Sequence, residues 1–205
     1  MNLGGPVLQV APALLGAHLV AGGTTVRLTE LEAYAGATDA GSHAFRGRTP
    51  RNEVMFGPAG RLYIYFSYGM HWCMNVVTGA EGEPSAVLLR AGEVVDGLAA
   101  ARARRPGVPD AELCRGPARL TRALGITGEQ AGVDLLAATA PVRLVPRAPG
   151  LQAQVQTGPR VGVSGAGGAA PWRFWLAGEP SVSTYRPAVR RGPKGAGRGT
   201  EGSRP

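Results

Sequence analysis

Lysine is almost missing from this 205-residue chain: arginine supplies all but one of its 22 basic residues, and the single lysine is Lys194. A P-loop, which needs a lysine after its glycines, is thereby excluded. An amine nucleophile inside the fold is nearly excluded too, because arginine does not deprotonate and Lys194 lies in a Gly/Pro/Arg-rich terminal stretch. Cysteine is scarce as well. Cys73 and Cys114 are too few for a disulfide framework and lack zinc-site spacing, and the three histidines, His18, His43 and His71, are scattered. No metal and no cofactor is expected. There is no apolar run long enough to span a bilayer and no basic segment ahead of an apolar one. The expectation is a soluble, intracellular protein without a membrane partner.

What is present is ordinary globular composition with an excess of positive charge. Hydrophobic residues make up 44% and charged residues 18%, which excludes wholesale disorder. A chain this long can bury roughly 70% of its unfolded surface, so a core needs no covalent staples. Twenty-two basic residues against 14 acids give a net charge of +8, which suits a polyanionic partner.

The clearest boundary is near the C-terminus. Residues 186–205 (RPAVRRGPKGAGRGTEGSRP) hold six basic residues and one acid, a net of +5, with no apolar periodicity. Such a segment cannot bury enough surface to order itself; it reads as a solvated tail or a phosphate-binding arm. Residues 1–185 read as one domain. PVLQVAPALLG (6–16) suggests a short amphipathic helix around Leu14 and Leu15, with Pro12 near its start. Two strands follow across a Gly22-Gly23 turn, the second from Thr24 to Tyr34. RLYIYF and HWCMNVV flank a break at Ser67-Tyr68-Gly69 and predict a β-hairpin. AVLLRA (86–91) reads as a buried strand, 93–125 as two helical patterns, and short strands are expected at 141–145, 160–164 and 172–177. GVSGAGG (162–168) lacks the helix and acid of a dinucleotide motif and reads as loop. The fold class is α+β: a single domain with a mostly antiparallel curved sheet flanked by helices.

Several residues could carry chemistry. Alternation along the second strand puts Glu30, Glu32 and Tyr34 on one face. That is either an exposed strand face or a general base beside a stacking platform. Tyr63 and Tyr65 share a face of the hairpin, while Tyr68 and Met70 fall at its tip with no core to fill. An apolar wedge at a tip can enter a duplex base stack. Asn75 either satisfies neighbouring backbone or reads a base edge. A buried Arg90 would need a carboxylate, with Glu30 or Glu32 available.

The strings LEAY (31–34), TPRN (49–52), LYIYFSYGMHWCMN (62–75), VLLRA (87–91), LCRGPARL (113–120) and RVGV (160–163) together resemble, in order and spacing, the alkyladenine (3-methyladenine) DNA glycosylases of the mammalian type. The resemblance implies a hairpin that inserts into DNA. It also implies Glu32 as the general base that activates water, with Arg90 orienting that water. Tyr34 and Tyr65 would stack on the flipped base, His43 would hydrogen-bond its edge, and Asn75 would disfavour a guanine amine. Tyr68, with Met70 beside it, would intercalate; Arg51 and the Arg160, Val161, Gly162 segment would contact DNA. Two positions depart from the family: Leu31 replaces a small polar residue, and SGAGGAA replaces a histidine-containing loop after RVGV. With no core lysine, the expected enzyme is monofunctional, a monomer acting on double-stranded DNA that carries damaged purines. The competing reading is a non-catalytic nucleic-acid-binding module that uses its surface tyrosines as stacking platforms.

Overall fold

The computed structural model describes residues 1–147 and 154–188. Most of the 186–205 stretch therefore lies outside the described residues. Among the described residues, no helix is long and apolar enough to cross a membrane.

Eight strands form one antiparallel sheet: β1 (His18–Ala21), β2 (Thr24–Tyr34), β3 (Leu62–Ser67), β4 (His71–Thr78), β5 (Ser85–Asp96), β6 (Val142–Val145), β7 (Val155–Gly158) and β8 (Arg173–Leu176). Three short helices accompany it, α1 (Val7–Ala13), α2 (Leu98–Arg104) and α3 (Pro117–Leu124). The strand order is β3-β4-β5-β2-β1-β6, with β8 joined to β2 and β7.

The sheet curls around β2. One edge of β2 pairs with β5 from Thr25 to Tyr34; the other is shared, β1 taking Thr24–Arg27 and β8 taking Glu30–Glu32. The β2–β5 register slips at Thr25/Val26, Leu28/Glu30 and Glu30/Leu31. Each slip bends the strand and increases its twist. Gly92, opposite Leu28, permits a close approach of the two strands, because a Cβ there would collide with Val26 and the Arg27 carbonyl.

Local sequence explains most boundaries. Gly22 and Gly23 both take positive φ and turn β1 into β2. Pro117 opens α3 at a position whose N–H would be unsatisfied anyway, and Gly125 closes it in the left-handed region. The main core gathers Val7, Val10, Leu14 and Leu15 with Leu19, Leu28, Leu31, Leu89, Leu120 and Leu124. Each such side chain stabilises the fold by about 1.5–3 kcal/mol on burial. A second, smaller cluster of Ala44, Met55, Tyr63, Val77 and Ala86 supports the cavity described below.

Four expectations change. The strand expected over 86–91 runs from Ser85 to Asp96, so helix begins only at Leu98, after Gly97 (φ 71°). Pro12 lies in the last turn of α1, not its first. Residues 160–164 are turn rather than strand: Gly162 has φ 71° and the Arg160 side chain is pulled into the interior. The strand at Val155–Gly158, an edge strand with only Gly158 buried, was not expected.

Candidate active site

Glu32 sits near the C-terminal end of β2, where the bulged strand turns its acids inward. Both Glu30 and Glu32 are fully buried, which overturns the exposed-face alternative. Burial of two carboxylates is sustained because neighbouring strands answer them. Glu30 accepts from Arg90 Nε on β5 at 2.9 Å, from Arg173 Nε on β8 at 2.7 Å, and from the Ser183 N–H at 2.7 Å and Oγ at 2.9 Å. Burial pushes the Glu30 carboxyl upward, yet the charges of Arg90 and Arg173 outweigh it and hold it below the usual range. Glu32 is bound differently. Its Oε1 accepts the Val161 N–H at 2.7 Å and lies 3.4 Å from an Arg90 guanidinium nitrogen, and its Oε2 accepts the Tyr34 hydroxyl at 2.9 Å. Burial pulls Arg90 down, but Glu32 and Glu30 together keep it charged.

A cavity of about 590 Å³ opens on Glu32. Four of the protein's five tyrosines line it, Tyr34, Tyr63, Tyr65 and Tyr68, so tyrosine in particular is concentrated here. Tyr63 and Tyr65 lie 5.8 Å apart with planes at 30°, a consequence of period-2 alternation on β3. His43 meets Tyr65 edge-on at 4.5 Å, and its Nδ1 shares a hydrogen bond with the Tyr63 hydroxyl at 3.0 Å. Burial and the nearby Arg51 charge lower the His43 pKa, while burial raises the Tyr63 phenol to about 12. A neutral imidazole thus faces a neutral phenol at pH 7. Burial, then Glu32, raises Tyr34 well above its ordinary value, so its hydroxyl stays a donor to the carboxylate. Asn75 donates one Nδ2 hydrogen to the Tyr63 carbonyl at 3.2 Å, the backbone-satisfying role; a second N–H and an acceptor oxygen remain.

The structure brings Glu32, Tyr34, His43, Arg51, Tyr65, Tyr68, Asn75, Arg90, Val161 and Gly162 to this one cavity. Met70 and Arg160 are not in its lining. Met70 stands 68% exposed at the hairpin tip beside Tyr68, which is 86% exposed. Tyr68 is the only non-glycine with positive φ among the described residues (51°), followed by Gly69 at 66°. That is the pattern of a tight hairpin turn that projects its residues outward. Arg160 is fully buried behind Tyr34. Any contact its segment makes with a ligand therefore falls to Val161, Gly162 and the backbone. Arg51 donates to the Phe66 carbonyl at 3.4 Å and lies 5.6 Å from the Tyr65 ring centre.

Sequence reasoning missed the supports. Asn52 donates to the His43 and Gly47 carbonyls and accepts the Thr49 N–H at 2.7 Å, fixing the histidine loop. Its place three residues after Thr49 in TPRN is a turn signal that could have suggested this. Asp39, Arg173 and Ser183 meet their partners across more than a hundred residues, and nothing local marks them. Among the described residues, no group of three or more His, Cys, Asp or Glu side chains could hold a metal ion.

Comparison with known proteins places the chain in a family. The family model for methylpurine-DNA glycosylase matches residues 2–180. Relatives named as candidate 3-methyladenine DNA glycosylases include one from Streptomyces avermitilis, 54% identical over 187 residues covering 88% of each chain. Another, from Frankia casuarinae, is 51% identical over 90% of this chain and 91% of its own. A third, from Burkholderia lata, is 49% identical over 88% of its length and 89% of this chain. These matches extend over most of the chain and favour the enzyme over the non-catalytic binding module. The chain belongs to the methylpurine-DNA glycosylase family, hydrolases of N-glycosyl bonds in DNA that serve base excision repair.

Proposed function

We propose that this enzyme takes an alkylated or deaminated purine, of the 3-methyladenine, hypoxanthine and ethenoadenine class, out of duplex DNA and hydrolyses its glycosidic bond with a water activated by Glu32. The observation that carries the reading is the buried Glu32 carboxylate lining a cavity walled by tyrosines. The cavity's size falls in the ~300–1,000 Å³ range of ligand pockets, and a duplex base reaches such a site only when flipped.

In this mechanism Tyr68, with Met70, enters the base stack and fills the vacated space. The flipped base stacks against Tyr34 and Tyr65. The neutral His43, steadied by Tyr63, hydrogen-bonds its edge, and the remaining Asn75 N–H, a donor that guanine's exocyclic amine cannot pair with, disfavours guanine. Water attacks the anomeric carbon: its oxygen bonds to carbon, its proton passes to Glu32, and the purine leaves with the bonding electrons. Glu32 also stabilises the cationic sugar as the bond breaks. Arg90, held between both glutamates, orients the water. Arg51, Val161 and Gly162 meet the DNA around the opening, and a monomer suffices.

The chain carries no lysine besides Lys194, so the product is an intact abasic site. The test is to incubate the enzyme with duplexes bearing one hypoxanthine or one ethenoadenine. Free base should appear without strand breakage and without a borohydride-trapped protein–DNA adduct. A trapped adduct would refute the water mechanism, and absence of base release from every lesion would refute the substrate class.

A further inference from the structure

Arg160 is an unusual occupant of the space behind a stacking tyrosine. Its side chain is wholly buried, and its guanidinium carbon lies 4.4 Å from the Tyr34 ring centre and 5.1 Å from that of Trp172, so two aromatic rings flank one cation. Asp39 grips it through two bonds of 2.6 and 2.7 Å, and the Ala33 and Gly167 carbonyls accept two more at 2.9 Å each. Its Nε has no partner among the described residues. Burial pulls its pKa down, but Asp39 outweighs that and the group stays charged. The hydroxyl of Tyr34 is meanwhile fixed to Glu32, so the ring cannot swing away from the cation.

We propose that Arg160, charge-balanced by Asp39, is a positioning residue that sets how the enzyme divides its activity between cationic and neutral damaged bases. The inference rests on the reading of Tyr34 as the stacking surface for the flipped base. An aromatic face attracts a cation through the ring's quadrupole. Alkylated purines such as 3-methyladenine carry positive charge while still attached to the sugar; hypoxanthine does not. A cationic base on the cavity side of Tyr34 shares its ring with the guanidinium on the other side. The two positive charges oppose each other through the ring, and Asp39 offsets part of that opposition. Arg160 thus suppresses a preference for cations that an unbacked pair of tyrosines would show. The neutral lesions, which gain nothing from cation–π attraction, are brought nearer to parity.

Two measurements test this. In the unaltered enzyme, 9-methyladenine and its cationic counterpart 7,9-dimethyladeninium are compared as competitive inhibitors of hypoxanthine excision. Their inhibition constants should agree within about threefold; a cation bound about tenfold tighter, the scale of an undisturbed cation–π contact, overturns the proposal. The second measurement is the ratio of 3-methyladenine release to hypoxanthine release in Asp39→Asn and Arg160→Gln, with folding followed by thermal unfolding. The ratio should fall several-fold in Asp39→Asn, where the guanidinium loses its counter-charge, and rise in Arg160→Gln. Opposite movements cannot come from general damage to the fold. Equal losses on both lesions in both variants would make Arg160 a structural pin alone. Should neither variant fold, the inhibitor comparison decides by itself. Failure of the unaltered enzyme to excise either lesion would remove the reading beneath the proposal as well, and is told apart by that failure.

Discussion

At the scale of single residues, the site depends on carboxylates being paid unequal attention by arginine. Glu30 is saturated by Arg90, Arg173 and Ser183, whereas Glu32 keeps only a 3.4 Å approach from Arg90 beside its bonds to Tyr34 and Val161. In the proposed mechanism Glu30 therefore holds Arg90 in place, and Glu32 is the carboxylate left to act on water. Breaking one partner of a buried pair costs about 3–5 kcal/mol, since the other charge is stranded. Glu30→Gln should lower thermal stability accordingly. In the fraction that remains folded, base excision should drop by about a hundredfold while duplex affinity changes little, a split that separates positioning from simple unfolding. Duplex binding and excision falling in parallel with the folded fraction would reduce Glu30 to a packing role. The parity of β2 made Glu30, Glu32 and Tyr34 visible together in the sequence. It left open whether that face was wet or dry, because the answer lies with Arg173 and Ser183, more than a hundred residues away.

At the scale of elements, the proposed wedge role sets stability against use in the hairpin of β3 and β4. Tyr68 occupies left-handed backbone that costs a residue with a Cβ about 1–2 kcal/mol, and it exposes nearly its whole ring. Asparagine takes left-handed backbone more readily than other residues with a Cβ. Tyr68→Asn, which places asparagine ahead of Gly69, should raise Tm by about 2 °C, yet lower excision from duplex DNA by about tenfold or more through loss of the wedge. Excision unchanged by this substitution would deny the tip any part in flipping. The hairpin was legible because its signal is local, two aromatic and β-branched runs around a glycine break. The stretch Arg160–Ser164 misled for the complementary reason. Its alternating R-V-G-V pattern imitates a strand, but the Arg160–Asp39 pair draws the first residue inward and positive φ at Gly162 turns the chain. That turn is what presents the Val161 N–H to Glu32. The edge strand Val155–Gly158 buries only its glycine and so leaves no apolar alternation to detect.

At the scale of the whole molecule, charge governs both stability and encounter with DNA. Glu30, Asp39 and His43 are all held below their ordinary values of 4.5, 3.8 and 6.5. For each, the unfolded chain binds a proton more readily than the folded one, so stability is full above the unfolded pKa and is lost as pH falls. Denaturant unfolding should show stability level between pH 7 and about 8, a shallow decline beginning near 6.5 from His43, and a steeper one below about 4.5 from the two carboxylates. Stability should also be lost above about pH 9 from the buried cysteines and tyrosines, whose folded values are raised. A stability that rose on acidification below about pH 7 would contradict the assigned pairings. The +8 charge also predicts duplex affinity that falls steeply with salt, as counterion release requires.

The most direct measurement is single-turnover excision of one hypoxanthine from a duplex oligonucleotide, comparing the unaltered enzyme with Glu32→Gln. Free base should be released by the former, and the variant should be slower by about a hundredfold or more, the usual contribution of a general base, while still binding the duplex. A variant that excises at the unaltered rate, or one that loses excision only because it no longer binds DNA, would contradict the assignment of Glu32 as the group that activates water.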